Sequence, residues 1–423
     1  MPDRATSDKT CMSRINERLP DSQAPSRAIP LSLGAYLRRH WQRLRAGDLG
    51  SLHILLGLVI IAVIFQTQNA NYLTPRNFVN LIVQMAGYTT IAIGVVYVLL
   101  LGEIDLSVGY VSAVAAVFMA LRLRPPDGWP WFAAIAVALA AVALIGVVQG
   151  LIVTRFRLPS FVVTLAGLLV WNGVVLILIG ANGTVIIQDQ MVINIANYFL
   201  PEMWGWLVTA VCIFFYAFGR INRWRDRRQR GMATTPVIVV VAQMLLVAAL
   251  LTITVYVANQ DRGVPFVGVI MLVLLVFFTS LAENTQFGRY VYVIGGNVES
   301  ARRAGIDVDY IRVRVFMISS LMAGMGGIVL ASRLRSVDTA AGGGNLLLNS
   351  IAAAIIGGAS LFGGSGKVAS AFLGALIIAS VENGMGLLGL SAGVKFVVTG
   401  LVLLVAVLID AVTRRGRVHP GIT

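Results

Sequence analysis

The chain has 423 residues, 57% of them hydrophobic and only 12% charged, with a mean hydropathy of +0.83. Soluble domains are about 45–50% apolar and about 25% charged, so this composition excludes a soluble globular protein. The net charge of +14 does not make it a nucleic-acid binder, and no nucleic-acid partner is expected, because basic side chains gathered in short loops on one membrane face follow the positive-inside rule.

In chain order, residues 1–50 are polar, Arg-rich and broken by Pro20, Pro25 and Pro30. They predict a cytoplasmic basic tail with no cleavable signal peptide. Its last stretch, LSLGAYLRRHWQRLRAG, suits a helix lying on lipid headgroups and, equally, a disordered basic arm. Apolar runs then predict spans near 52–66, 78–101, 104–121, 131–154, 160–180, 204–219, 236–257, 264–282, 313–332, 347–362, 368–388 and 395–413. Barrel strands would instead alternate over about ten residues. The predicted fold class is therefore an all-α polytopic membrane protein, a bundle of about 10–12 transmembrane helices over residues 51–413.

With a cytoplasmic N-terminus, the inward segments are the tail, TRFRLP, RINRWRDRRQR, 283–314 and TRRGR, and they hold most of the 33 basic residues. The outward 181–203 loop holds none. Both termini, including the tail 414–423, are expected to be cytoplasmic. Gly366, Ser370 and Gly374, like Ala323, Gly327 and Ala331, have the small-xxx-small spacing that lets helix backbones approach. GEIDLSVGYVSA and GGASLFGGSGKVASA each place a Gly/polar break before a small-residue helix, a hint of two pseudo-symmetric halves.

No enzyme constellation appears, and no catalytic residue is expected. His40, His53 and His419 lie in or beside the terminal segments, and Cys11 and Cys212 stand alone, so neither a triad, a metal site nor a disulfide framework is expected. GGSGKV fails as a phosphate loop: Leu361 stands where the first Gly of the motif belongs and Val368 where Ser/Thr belongs. This chain is expected to bind no cofactor, and any ATP must be bound by another polypeptide.

Polar side chains inside apolar runs are costly and should face the bundle interior, where they either line a path or bond neighbouring helices. Gln84, Gln149, Asn172, Glu382 and Asn383 are of this kind. Glu103 and Asp105 lie at a break where Gly102 and Gly109 permit a turn, and Asp105 with Ser107 can satisfy freed backbone N–H groups. Capping and a gate hinge are the two readings of that break. Farther along, Asn297 can cap a short helix with Glu299 in its first turn, Arg302 and Arg303 in its last, and Gly305 as the turn-off.

GEIDLSVG, LPSFVVTLAGLLVWNG and GRYVYVIGGNVESARRAGIDVDYIRVRVF, followed by GMGGIVLASRL and IIGGASLFGGSGKV, resemble the permease subunit of bacterial ABC sugar importers of the ribose/xylose type, the xylose-type branch most of all. The resemblance implies an inner-membrane, homodimeric permease served by a separate ABC ATPase and a periplasmic sugar-binding protein. It also implies that 283–312 is a cytoplasmic coupling segment, with Asn297, Glu299, Ala301, Arg302, Arg303, Ala304 and Gly305 meeting the ATPase. Two departures stand out: the tail, and extra spans in 201–258 around RINRWRDRRQR, whose arginines can contact anionic membrane lipid or serve only as a topological anchor. The competing function is an ion-coupled secondary sugar transporter, with Glu103, Asp105 or Glu382 holding the ion.

Overall fold

The computed structural model describes residues 52–126, 128–232 and 234–415, together with residues 34, 38, 41 and 42. The headgroup helix or disordered arm expected in the tail, Cys11, His40, His419 and the chain from 416 lie outside the described residues. So does the side chain of His53.

The first five helices are α1 (Leu52–Gln68), α2 (Pro75–Leu100), α3 (Val108–Arg122), α4 (Trp131–Phe156) and α5 (Ser160–Ile179). After the short α6 (Gln190–Asn197) come α7 (Glu202–Gln229), α8 (Val237–Asn259) and α9 (Phe266–Asn284). Two small helices, α10 (Gln286–Gly296) and α11 (Val298–Arg303), lead into α12 (Val308–Leu334), followed by α13 (Leu346–Ile356), α14 (Ser370–Leu387) and α15 (Ala392–Arg415). Among the described residues, eight helices are long and apolar enough to cross a membrane: α2, α4, α5, α7, α8, α9, α12 and α14. Shorter apolar helices lie in α1, α3, α13 and α15. This is an all-α polytopic membrane protein, and each predicted apolar run coincides with a helix.

The boundaries differ where local chemistry overrides the apolar count. RINRWRDRRQR is no loop: α7 runs through it, because Arg is a good helix former and no Gly or Pro intervenes before Gly231. The run beginning at 104 starts its helix only at Val108, after a non-helical break. The run predicted to 362 ends at Ile356, where Gly357 and Gly358 follow. Helix α10 was not expected; Gly288, Val291 and Ile294 form its buried side, a pattern too short to register as a span.

The described residues fall into two compact units, one within Val208–Thr252 and the other within 52–207 and 253–415. In the first unit, Arg220 donates to Gln243, Trp224 Nε1 donates to the Thr235 carbonyl at 3.1 Å, and Arg228 stacks 5.2 Å over the Trp224 ring. Phe214, Phe215, Phe218, Leu245 and Leu246 are exposed there, as an apolar surface immersed in lipid requires.

The second unit is built around α12, which packs against α2, α3 and α4. Ala323, Gly327 and Ala331 are buried along it. A Cβ on Gly327 would collide with the Ser112 carbonyl of α3, and one on Gly146 with the Phe316 carbonyl, so these crossings require glycine. Two small antiparallel ribbons close the loops: β1 (Thr184–Ile186) pairs with β4 (Ser336–Asp338), and β2 (Phe199–Leu200) with β3 (Val264–Pro265).

Candidate functional site

The segment from α10 to α12 is stiffened by a series of caps. Thr285 Oγ1 accepts from the Gly288 N–H at 3.2 Å at the start of α10. Asn297 Oδ1 accepts from the Ser300 N–H at 2.9 Å and starts α11. At its end Gly305 takes φ +78°, the Ile306 N–H reaches the Ala301 carbonyl at 3.1 Å, and the Gly305 N–H reaches Arg302 at 2.9 Å. This pair of crossing bonds satisfies carbonyls that the helix end would leave open. Asp307 Oδ1 then accepts from the Tyr310 N–H at 3.0 Å and starts α12. A six-residue helix is unstable alone; here the caps and the fully buried Ala301 fix its angle to α12. Glu299, Arg302, Arg303 and Ala304 are exposed, with Glu299 and Arg302 3.7 Å apart. Asn297→Ala should weaken α11 by about 1 kcal/mol, read as faster amide exchange over 298–303 with the spans unchanged.

Three glycine-containing breaks meet beside this segment. The Gly364 N–H donates to the Leu100 carbonyl at 2.9 Å, and Tyr292 Oη donates to the Gly366 carbonyl at 2.9 Å. A Cβ on Gly295 would fall on the Leu100 carbonyl and lie 2.6 Å from Gly364 N. One on Gly363 would sit 2.7 Å from the Gly295 carbonyl and 2.9 Å from Gly102 N. The end of α2, the end of α10 and the 357–369 loop therefore touch backbone to backbone.

The break that follows Gly102 is fastened to three helices. Glu103 pairs with Arg312 of α12 at 2.9 Å, the two side chains only 13% and 20% exposed. The Ile104 N–H donates to Ser160 Oγ at 3.1 Å, and Thr164 Oγ1 donates to the Ile104 carbonyl at 3.2 Å, both on α5. Asp105 is buried. Its Oδ1 accepts from the Ser107 N–H at 3.0 Å and from Ser107 Oγ at 2.6 Å, and its Oδ2 accepts from Ser319 Oγ at 3.0 Å. Gln149 Nε2 of α4 donates to Ser107 Oγ at 3.1 Å. Arg312 and Ser319 stand about two helical turns apart, on one face of α12.

A second polar group joins α2, α13 and α14. Asn77 and Asn383 exchange amide hydrogen bonds at 2.7 and 2.9 Å, and Asn383 also donates to Gln84 at 3.4 Å. Glu382 accepts from Tyr88 Oη at 2.6 Å and from Asn349 Nδ2 at 2.5 Å. Among the described hydrogen bonds none ties the half-buried Asn172 to either group. Sequence reasoning passed over Arg312, Ser319, Asn349 and Tyr88; only the polarity of Ser319 and Asn349 within apolar helices could have marked any of them. Among the described residues, no group of three or more His, Cys, Asp or Glu side chains could hold a metal ion.

The multi-spanning bundle, with polar groups buried between its helices and a capped helix between two spans, is that of a membrane permease by its family match. The chain belongs to the family described as branched-chain amino acid transport system / permease component, whose model matches residues 77–407. It is 36% identical to the xylose transport system permease protein XylH of Escherichia coli (strain K12), over 86% of this chain and 92% of that protein. The corresponding protein of Haemophilus influenzae is 35% identical, over 86% and 98%. The ribose import permease protein RbsC of Bacillus subtilis is 30% identical, over 86% and 94%. No solved structure matches the chain. These relatives give no support to the ion-coupled alternative.

Proposed function

We propose that this chain is the membrane-spanning subunit of an ABC importer that carries a monosaccharide, a pentose such as xylose, across the bacterial inner membrane. The observation that carries the reading is the likeness, along nearly the whole chain, to permeases named for xylose and ribose. A periplasmic binding protein delivers the sugar, two copies of the permease form the path, and ATP is hydrolysed on a separate subunit. Both termini and α11 face the cytoplasm, the orientation favoured by the distribution of basic residues.

In this reading α11 seats in the ATPase and moves with it. Caps at both ends make α11 and α12 one lever, and the glycine contacts pass displacement to the 101–107 and 357–369 breaks. Glu103, Asp105 and Ser107, held by α12 and α4, then act as the gate, and Gln84, Gln149, Asn172, Glu382 and Asn383 are the polar residues along or around the path. The Arg-rich end of α7 and the tail attract anionic lipid at about 1 kcal/mol per basic residue near the surface.

The test is uptake into proteoliposomes containing the permease, its ATPase and its binding protein. Uptake is expected to require ATP and all three components; uptake by the permease alone, driven by an ion gradient, would refute the proposal. In the same system Glu299→Ala combined with Arg302→Ala should leave the bundle folded, since exposed pairs contribute about 0–1 kcal/mol, yet uncouple ATP hydrolysis from uptake. Normal ATPase assembly together with normal uptake in that double variant would remove α11 from the coupling role.

A further inference from the structure

A cavity of about 330 Å³ lies within the second unit, between α2, α3, the final turns of α12 and the 338–346 turn, at the opposite end of α12 from α11. Its polar lining is Tyr88, Ser112, Arg333, Ser336, Asp338 and Asn345. At roughly 30 Å³ of liquid volume per water, it holds about ten waters, room for a small ring molecule with several of its own waters. The β1–β4 ribbon borders it through Ser336, Val337 and Asp338.

One polar atom of its lining is left open in a way that packing does not explain. Asn345 occupies the N-cap position of α13, yet its side chain makes no cap hydrogen bond, and its Oδ1 is buried without a partner. Asn349, one turn on and outside the cavity lining, gives its Nδ2 to Glu382 and has a buried, unpartnered Oδ1 of its own. Among the described residues Arg333 has no ion-pair partner, and Asp338 uses Oδ1 to receive the Ala340 N–H at 3.1 Å. Arg333 is half-buried and Asp338 exposed at the rim, whereas the unpaired Asn345 oxygen is buried, which is costly unless something meets it.

The complement of this set is a molecule with several neighbouring hydroxyls. Each hydroxyl both donates and accepts, so it serves the amide and carboxylate oxygens as donor and the Arg333 guanidinium as acceptor. An inorganic anion would face Asp338, and a bare cation would face Arg333. We propose that this cavity is a binding site for a monosaccharide within each permease subunit, with Arg333, Asp338 and Asn345 as its hydrogen-bonding residues and Tyr88 as an aromatic wall. The site rests on the sugar-permease reading above and adds to it a place, on the side away from the ATPase, where cargo is held after it leaves the binding protein.

The test uses the complete importer in proteoliposomes, with xylose and ribose as probes and leucine as control. Arg333→Gln and Asp338→Asn are each expected to lower sugar uptake at least tenfold at saturating binding protein, while ATPase assembly and binding-protein docking persist. Ala116→Leu adds apolar bulk to the cavity wall while leaving every polar side chain in place, and should lower uptake similarly. That variant decides the matter if a charge variant fails to insert. Sugar uptake within twofold of wild type in assembled Asp338→Asn and Ala116→Leu complexes would overturn the cavity site while leaving the permease reading intact. Wild-type uptake of leucine and not of either sugar would instead overturn the sugar reading, and the sugar site with it.

Discussion

Gly295→Ala is expected to abolish transport by the assembled importer and to destabilise the permease by at least about 3 kcal/mol, the upper end of what overpacking costs. The added methyl group would fall on the Leu100 carbonyl oxygen, with Gly364 N 2.6 Å away. Both neighbours are backbone atoms, so no side-chain rotation relieves the collision. The chain must either pull α10 away from the end of α2 or break the 2.9 Å hydrogen bond from Gly364 to Leu100. Either movement separates α11 from the 101–107 and 357–369 breaks. Gly296→Ala is the matched control, because no atom lies within 4 Å of its added Cβ. Thermal unfolding in detergent and ATP-driven uptake, measured on both variants, give the check: equal behaviour of the two would show that the three-way contact carries no weight.

The spans were legible in the sequence because crossing a ~30 Å hydrocarbon core demands a long apolar run, and the chain supplies such runs repeatedly. Helix α11 was legible for a different reason. Its start, Asn297, its charge order, Glu299 before Arg302 and Arg303, and its stop, Gly305, are all local signals, and each occupies its expected position in the structure. The hydrogen bonding of Asp105 to Ser107 is similarly local. What was not legible is non-local. Nothing near Leu100 announces Gly295 and Gly364, and nothing near Glu103 announces Arg312, because those meetings are decided by how α2, α10 and α12 pack. The Arg-rich stretch 220–230 misled in the other direction: charge marks solvent or headgroups, but it does not break a helix, so α7 simply continues through it.

The Glu103–Arg312 pair supplies the other large effect. Both side chains are mostly buried, at 13% and 20% exposure and 2.9 Å, so removing one leaves the other as an uncompensated charge, a loss of about 3–5 kcal/mol for a fully buried pair and somewhat less here. Arg312→Ala is expected to lower stability by about 2–3 kcal/mol on that basis and to cut uptake sharply, because α12 then loses its ionic hold on the 101–107 break. Glu103→Ala should cost less, since the Arg312 stem can extend toward water and keep its head solvated. The double variant should be more stable than the sum of the single losses predicts, by the coupling energy of the pair, which a double-mutant cycle measures. Uptake separates cohesion from gating. If the pair only holds the fold together, the double variant regains transport in step with its stability; if it works as part of the gate, stability returns and transport does not. The buried Asp105–Ser319 bond at 3.0 Å keeps the break attached to α12 in every one of these variants. Loss of transport there reports on the ion pair itself, and additive single and double effects on both stability and uptake would show that Glu103 and Arg312 act independently.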